Sequence, residues 1–189
     1  MQNKIILSLF DYSGNWPLYY KEAGYDVYSI DIKTGIDILE LTNDDIPSNV
    51  HGIMAAPPCT DFASSGAQYW KVKDEDGRTA YSLSLIDKTL EIINYCNPEW
   101  WVIENPVGRL SKLRPQLGQP WYFNPCDFGD AYTKKTGLWG KFNRNLKKTP
   151  VEPDPKSWIM KLGGKSERTK ELRSMTPLGF AKAFFDANP

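Results

Sequence analysis

The stretch "KIILSLFDYSGNWPLYYKEAGYDVYSID", Lys4 to Asp31, sets the architecture. It opens with a short apolar run to Leu9 that stops at small and polar residues, which predicts a strand. Pro17 suits the first turn of a helix, and Gly24 suits its end. "YDVYSIDI" then predicts a second strand, closing near Asp31. The same alternation continues. "VHGIMAA", Val50 to Ala56, predicts a third strand that ends at Pro57-Pro58. "LSLIDKTLEIINYC" carries Leu83, Ile86, Leu90 and Ile93 at helical spacing. "WWVIEN", Trp100 to Asn105, predicts a buried strand stopped by Pro106. Strand and helix in alternation predict an α/β domain with a mostly parallel central sheet.

Beyond Pro106 the pattern loosens. "WYFNPCDFG" (Trp121 to Gly129) and "GLWGKF" (Gly137 to Phe142) predict two further strands. "KKTPVEPDPKSW", Lys147 to Trp158, is proline-rich and charged, hence a loop or linker. "TPLGFAKAFFDANP" predicts a short closing helix opened at Thr176-Pro177. There is no internal repeat and no low-complexity tract.

The 189 residues fit one domain, 1–189, large enough to bury a core. Apolar content of 41% and charged content of 24% are those of an ordinary globular chain. No apolar run approaches the roughly 20 residues of a membrane span, and "MQNKIILSLFD" reads as a strand rather than a leader. A cytoplasmic protein without membrane partners is expected. Three cysteines do not make a secreted disulfide framework. Cys59, Cys96 and Cys126 are far apart and His51 is the single histidine, so no metal site is expected.

The formal net charge is zero, but the charge is uneven. Asp26, Asp31, Asp37, Glu40, Asp44 and Asp45 crowd the first part. Lysine and arginine crowd the stretch from Lys134 to Arg173. Such a stretch meets a phosphate backbone, or is simply a solvated surface.

Ligands of open parallel sheets sit at the carboxyl ends of the strands, and four predicted strand ends here carry distinctive residues. The first is "LFDYSGNW", where Gly14 permits close backbone approach or merely a tight turn; the dinucleotide pattern G-x-G-x-x-G is absent. The second is Asp31, placed to accept the hydroxyls of a ribose, or else a surface aspartate. Asp37 either accepts from an adenine amino group or caps a turn. The third is Cys59, a nucleophile or an inert small hydrophobe. His51 lies at the other end of the same strand and is badly placed to activate it. The fourth is Glu104, at the mouth of a very apolar strand, where desolvation raises a carboxyl pKa; it is a proton donor, or a capping or paired residue. In the simplest strand order Cys59 and Glu104 are neighbours. A thiol and a carboxyl group beside an adenosine site suit one chemistry. The thiolate adds to C6 of a pyrimidine, the carboxyl group protonates N3, and C5 attacks an activated alkyl donor.

These residues resemble the cytosine-C5 DNA methyltransferase family. "LFDYSGNW" is similar to its first motif, with Tyr12 and Asn15 where glycine or a small residue is usual. "PPCTDFASSG" resembles P-C-Q-x-F-S-x-x-G, with Thr60 and Ala63 as departures. "ENP" resembles E-N-V. "YTKKTGLWG" sits where the family has Q-x-R-x-R, Lys134 standing for the first arginine and Thr136 for the second. "TPLGFAKAFFDAN" resembles the helix that completes the cofactor pocket. The resemblance covers roughly Ile5 to Asn188 and is greatest to short members carried by phages and prophages. It implies a Rossmann-like S-adenosylmethionine-dependent methyltransferase fold. It implies catalytic roles for Cys59, Glu104 and Lys134. Phe10, Gly14, Asp31, Ile32, Asp37 and Pro58 would hold S-adenosylmethionine or a modified derivative of it. Asn105, Lys134, Lys135, Lys147 and Lys148 would contact DNA.

The family inserts a large target-recognition domain after Q-x-R-x-R. Here only a basic segment, 141–173, occupies that place, which implies methylation of cytosine with little sequence specificity, or a protein partner or self-association that supplies recognition. RNA, single-stranded DNA or a free cytidine nucleotide are alternative substrates. A catalytically inactive DNA-binding partner would need neither Cys59 nor Glu104. An amino-group methyltransferase is only faintly echoed by "APPC". The polar stretch "SGAQYWKVKDEDGRTAYS", Ser65 to Ser82, is expected to be a mobile lid closing over DNA. Its Tyr69 and Trp70 would enter the gap left by a flipped base or pack in the core.

Overall fold

A computed structural model describes residues 3–156, 159, 162 and 166–189. Six strands form one sheet among these residues, in the order β2-β1-β3-β4-β6-β5. They are β1 (Ile5–Leu9), β2 (Asp26–Ile30), β3 (Val50–Ala55), β4 (Trp100–Pro106), β5 (Trp121–Phe123) and β6 (Thr136–Lys141). β2, β1, β3 and β4 pair in parallel, while β6 joins β4 antiparallel and β5 joins β6 antiparallel.

The central strands are apolar on both sides because both faces are covered. Ile5, Leu7, Leu9, Ile53, Ala55 and Ile103 face one core, which α3 (Arg78–Cys96) covers with Leu85, Ile86, Ile92 and Ile93. Ile6, Met54, Trp100, Val102 and Leu138 face the other. That side is closed by Trp16, by Tyr20 of α1 (Leu18–Glu22), and by the last helix, which is numbered α6 (Leu178–Ala187). Phe180 of α6 stacks on Phe123 with ring centroids 4.1 Å apart. The remaining helices are α2 (Trp70–Glu75), α4 (Leu110–Leu113) and α5 (Glu167–Ser174).

Two expectations are corrected. The strand expected over Trp121 to Gly129 stops at Phe123, because Asn124 and Asp127 cap each other's backbone and Pro125 opens a 3-10 turn, Pro125–Phe128. The stretch Ser65 to Ser82 is not a polar loop. It is a 3-10 turn (Ser64–Tyr69), then α2, then the first turn of α3. The residues that these helices bury, Lys73, Thr79 and Ser82, are polar. Apolar periodicity is therefore silent on them.

Gly179 of α6 lies against the Phe128 carbonyl, with no room for a Cβ. Gly179→Ala is expected to push α6 off the sheet and lower stability by about 1–3 kcal/mol. A reduced urea midpoint with an unchanged slope would show it.

Candidate functional site

The parallel register sets Ala55 of β3 opposite Ile103 of β4. Cys59 follows Ala55 by one short loop, and Glu104 follows Ile103 directly, so the two meet at the carboxyl edge. The Cys59 carbonyl accepts from the N–H groups of Phe62 and Ala63, at 3.0 and 2.9 Å, which makes a tight turn. That turn is sewn to the chain beyond Glu104. Ser64 N–H donates to Val107 O, Arg109 N–H donates to Phe62 O, and Ala63 bridges Gly108. A Cβ at Gly108 would overlap the Phe62 carbonyl, so glycine is required there.

β6 brings the third group. Thr136 lies opposite Pro106 at the end of β4, so Lys134, two residues earlier, reaches the same edge. Its Nζ donates to Arg173 O at 2.9 Å. Burial pushes the Cys59 thiol above its ordinary range, and the Glu104 carboxylate adds to the rise; Lys134 and a backbone hydrogen bond oppose it. Burial likewise raises Glu104, with Lys134 opposing. Lys134 thus acts on both groups, against the burial that raises each.

On the neighbouring side β1 ends at Leu9, and Phe10 adopts a left-handed backbone, φ 60°. Strain of that kind in a bulky residue concentrates at functional sites. The buried Asp11 explains how the turn holds. Its carboxylate accepts from Ser8 Oγ, Ser13 Oγ and the Gly14 N–H. Asp31 and Asp37 each use Oδ1 to cap a turn, through Lys33 N–H and Leu39 N–H, and the structure gives no hydrogen bond to either Oδ2 among the described residues. Ile32 is 65% exposed, and Pro58 is exposed. Asn15 Nδ2 donates to Thr176 O beside a cavity of about 120 Å³ lined by Asp130, Tyr132 and Met175. This set fits an adenosine-bearing ligand: carboxylate oxygens for hydroxyl or amino donors, and an uncovered apolar side chain for a ring.

Other expected contacts are placed differently. Asn105 is fully buried and donates to Pro57 O at 3.1 Å, so it fastens the loop before Cys59 and does not face a nucleic acid. Its Oδ1 has no partner among the described residues. Trp70 packs beneath the Arg109 guanidinium, 4.8 Å from its ring, and Tyr69 is half exposed. Lys135 lies over the Tyr122 ring. Lys147 and Lys148 come after β6, whose last residue Lys141 pairs with Trp101 at the far end of β4 from Glu104. Lys147 is exposed, and Lys148 pairs with Asp127 at 3.6 Å. Lys161 and Lys165 of the basic segment lie outside the described residues. His51 sits at the opposite end of β3 from Cys59. No three His, Cys, Asp or Glu side chains cluster as a metal site among the described residues.

The sequence reading missed Asp11, Asp61, Lys73 and Arg109. Asp11 had a signal, an aspartate just ahead of the turn residues Ser13-Gly14-Asn15. The other three make contacts between segments far apart in the chain and had none.

Residues 7–116 match the family model of the C-5 cytosine-specific DNA methylases. A frog virus 3 (isolate Goorha) protein named as a DNA (cytosine-5)-methyltransferase is 29% identical over 160 residues, 76% of this chain and 73% of that protein. A prophage-encoded DNA modification methyltransferase of E. coli superposes with a TM-score of 0.50 at 19% identity. That match covers 87% of this chain, which spans 56% of the prophage protein's length. The Entamoeba histolytica methyltransferase EhMeth gives a TM-score of 0.48 at 15% identity, over 88% of this chain and 61% of that one.

The electrostatics make a prediction. Burial and Glu104 disfavour the thiolate and Lys134 favours it. Alkylation of Cys59, followed by peptide mass spectrometry against pH, should reach half-rate above the roughly 8.5 of an unperturbed cysteine. Lys134→Met removes the favourable cation and should move that midpoint higher still.

Proposed function

Because the chain belongs to the C-5 cytosine-specific DNA methylase family, we propose that it transfers a methyl group from S-adenosylmethionine to C5 of cytosine in DNA, through a covalent Cys59–C6 adduct. The observation that carries this reading is the placement of Cys59 and Glu104 at the ends of adjacent parallel strands, with Lys134 acting on both.

S-adenosylmethionine would supply an electrophilic methyl group on a sulfonium. Asp31 would accept from its ribose hydroxyls and Asp37 from its adenine amino group, with Ile32 against the ring. The Phe10–Gly14 turn and Pro58 would border its amino-acid end. Glu104, whose carboxyl group burial pushes above its ordinary range, would donate to N3 of the cytosine. Cys59 would lose its thiol proton to solvent as Sγ bonds to C6, and the ring would become nucleophilic at C5 and take the sulfonium methyl, leaving S-adenosylhomocysteine. After methylation, loss of the C5 proton to water would break the Sγ–C6 bond, release a thiolate that regains its proton from solvent, and return the N3 proton to Glu104.

The target base must leave the stack to reach this edge, at a cost of a few kcal/mol. Lys134 and Lys135, just before β6, would meet the base and the flanking phosphates. Lys147 and Lys148 would meet phosphates further along, with little sequence information. The segment 141–173 is too short for an independent core, which supports low sequence specificity.

Tritium-labelled S-adenosylmethionine offered with duplex DNA, single-stranded DNA, RNA and cytidine monophosphate tests the substrate. Label in the cytosine of DNA is expected. Label confined to RNA or the mononucleotide would overturn the DNA assignment. Cys59→Ala should abolish transfer while cofactor binding by calorimetry persists, and retained turnover would remove the nucleophile. Glu104→Gln should lose about 10²–10⁴-fold in kcat.

A further inference from the structure

We infer that Lys73 and Arg109 are positioning residues that hold the Cys59 thiol in register with the Glu104 carboxyl group. The inference rests on the reading that Cys59 attacks and Glu104 donates.

The turn that presents Cys59 has three successive carbonyls to satisfy. Cys59 O is taken within the turn, by the Phe62 and Ala63 N–H groups. Thr60 O accepts from the ammonium of Lys73 on α2. Asp61 O accepts from Arg109 Nε at 3.1 Å, and Arg109 follows Glu104 by five residues. The two carbonyls that follow the nucleophile are therefore each held by a cation, one from α2 and one from the chain that leaves β4. Backbone contacts of this kind fix the orientation of a turn, which side-chain packing alone does not.

Both cations are themselves pinned. Lys73 is 5% exposed and pairs with the buried Asp61 carboxylate at 3.2 Å. Ser82 of α3 donates to the other oxygen of that carboxylate at 2.5 Å. The Arg109 guanidinium makes a two-pronged contact with Asp74 at 2.8 and 2.7 Å, donates to Thr79 Oγ1 at 2.8 Å and covers the Trp70 ring. Helix α2 is thus tied to the turn by Lys73 and to the strand of the acid by Asp74. Removing an ammonium from water costs several kcal/mol, and well-packed apolar residues serve stability at least as well. A buried lysine on a backbone carbonyl beside the nucleophile specifies geometry, which catalysis rewards steeply: a 1 Å misplacement costs about 10²-fold.

The test uses the full chain with Lys73→Met, Arg109→Lys and Asp74→Ala. Asp74 is exposed, so that variant releases the guanidinium fork without opening the core. For each, the folded fraction is set by a thermal melt, kcat and KM for DNA are measured, and the pH midpoint of Cys59 alkylation is read. The expected result is a fall in kcat per folded molecule of about 10–100-fold for Lys73→Met, with smaller falls for the other two. KM for DNA should stay within about twofold of the parent, and the alkylation midpoint should shift as Cys59 changes its distance from Glu104 and Lys134. If Lys73→Met does not fold, the Arg109 and Asp74 variants decide. Parental kcat per folded molecule in the variants that fold, with an unmoved midpoint, would overturn the inference. Failure of the underlying reading looks different: the parent protein would itself neither methylate cytosine nor exchange its C5 hydrogen with solvent.

Discussion

The parallel pairing of β3 with β4 sets Ala55 opposite Ile103, and the chemistry of the carboxyl edge follows from that register. A slip of one residue would turn every side chain of β4 to the other face of the sheet. Glu104 would then leave the edge shared with Cys59, and Trp100 and Val102 would together leave the apolar cluster around Phe184. The register is held by what lies beneath it. Gly52 stands beside Trp100 with no room for a Cβ, and the indole packs edge-on against Phe184 at 5.5 Å. Core packing away from the carboxyl edge therefore fixes how Cys59 and Glu104 stand relative to each other.

The same burial that fixes the pair also sets its electrostatics. A thiol and a carboxyl group brought together out of water disfavour each other's charge, and burial disfavours both. Among the described residues Lys134 is the cation acting on both, and its Nζ also donates to Arg173 O. A lysine that serves two acids and a carbonyl at once has its position determined from three sides. An arginine would bring a wider planar fork with different spacing.

How much was legible in the sequence follows from which forces are local. The strands β1, β2, β3 and β4 announce themselves as apolar runs closed by turn residues, and their ends carried Cys59, Glu104 and Asp31 into view. The helix α3 was recognised from Leu83 onward, where its buried residues are apolar. Its first turn and all of α2 were not, because Lys73, Thr79 and Ser82 are buried by hydrogen bonding and ion pairing with Asp61 and Arg109. Those partners come from other parts of the chain, and no window of sequence contains both sides of the contact. Asn105 shows the same limit in reverse. Next to a catalytic glutamate, an asparagine reads as a substrate contact. Only the fold shows that Pro57 O takes its amide.

The short segment after β6 completes the edge from above. Glu171 of α5 pairs with Lys33, just beyond Asp31, and the Arg173 carbonyl at the end of the same helix holds Lys134. One turn of helix therefore spans from the side of Asp31 to the side of Glu104. The Lys33–Glu171 pair is exposed, and such pairs contribute little to stability by themselves. The contact to Lys134 is of another kind, since it draws on a half-buried ammonium that also shapes the pair of acids. The carbonyl that holds Lys134 therefore comes from the same helix whose Glu171 reaches Lys33, so one short element fixes a cation at the edge shared by Cys59 and Glu104.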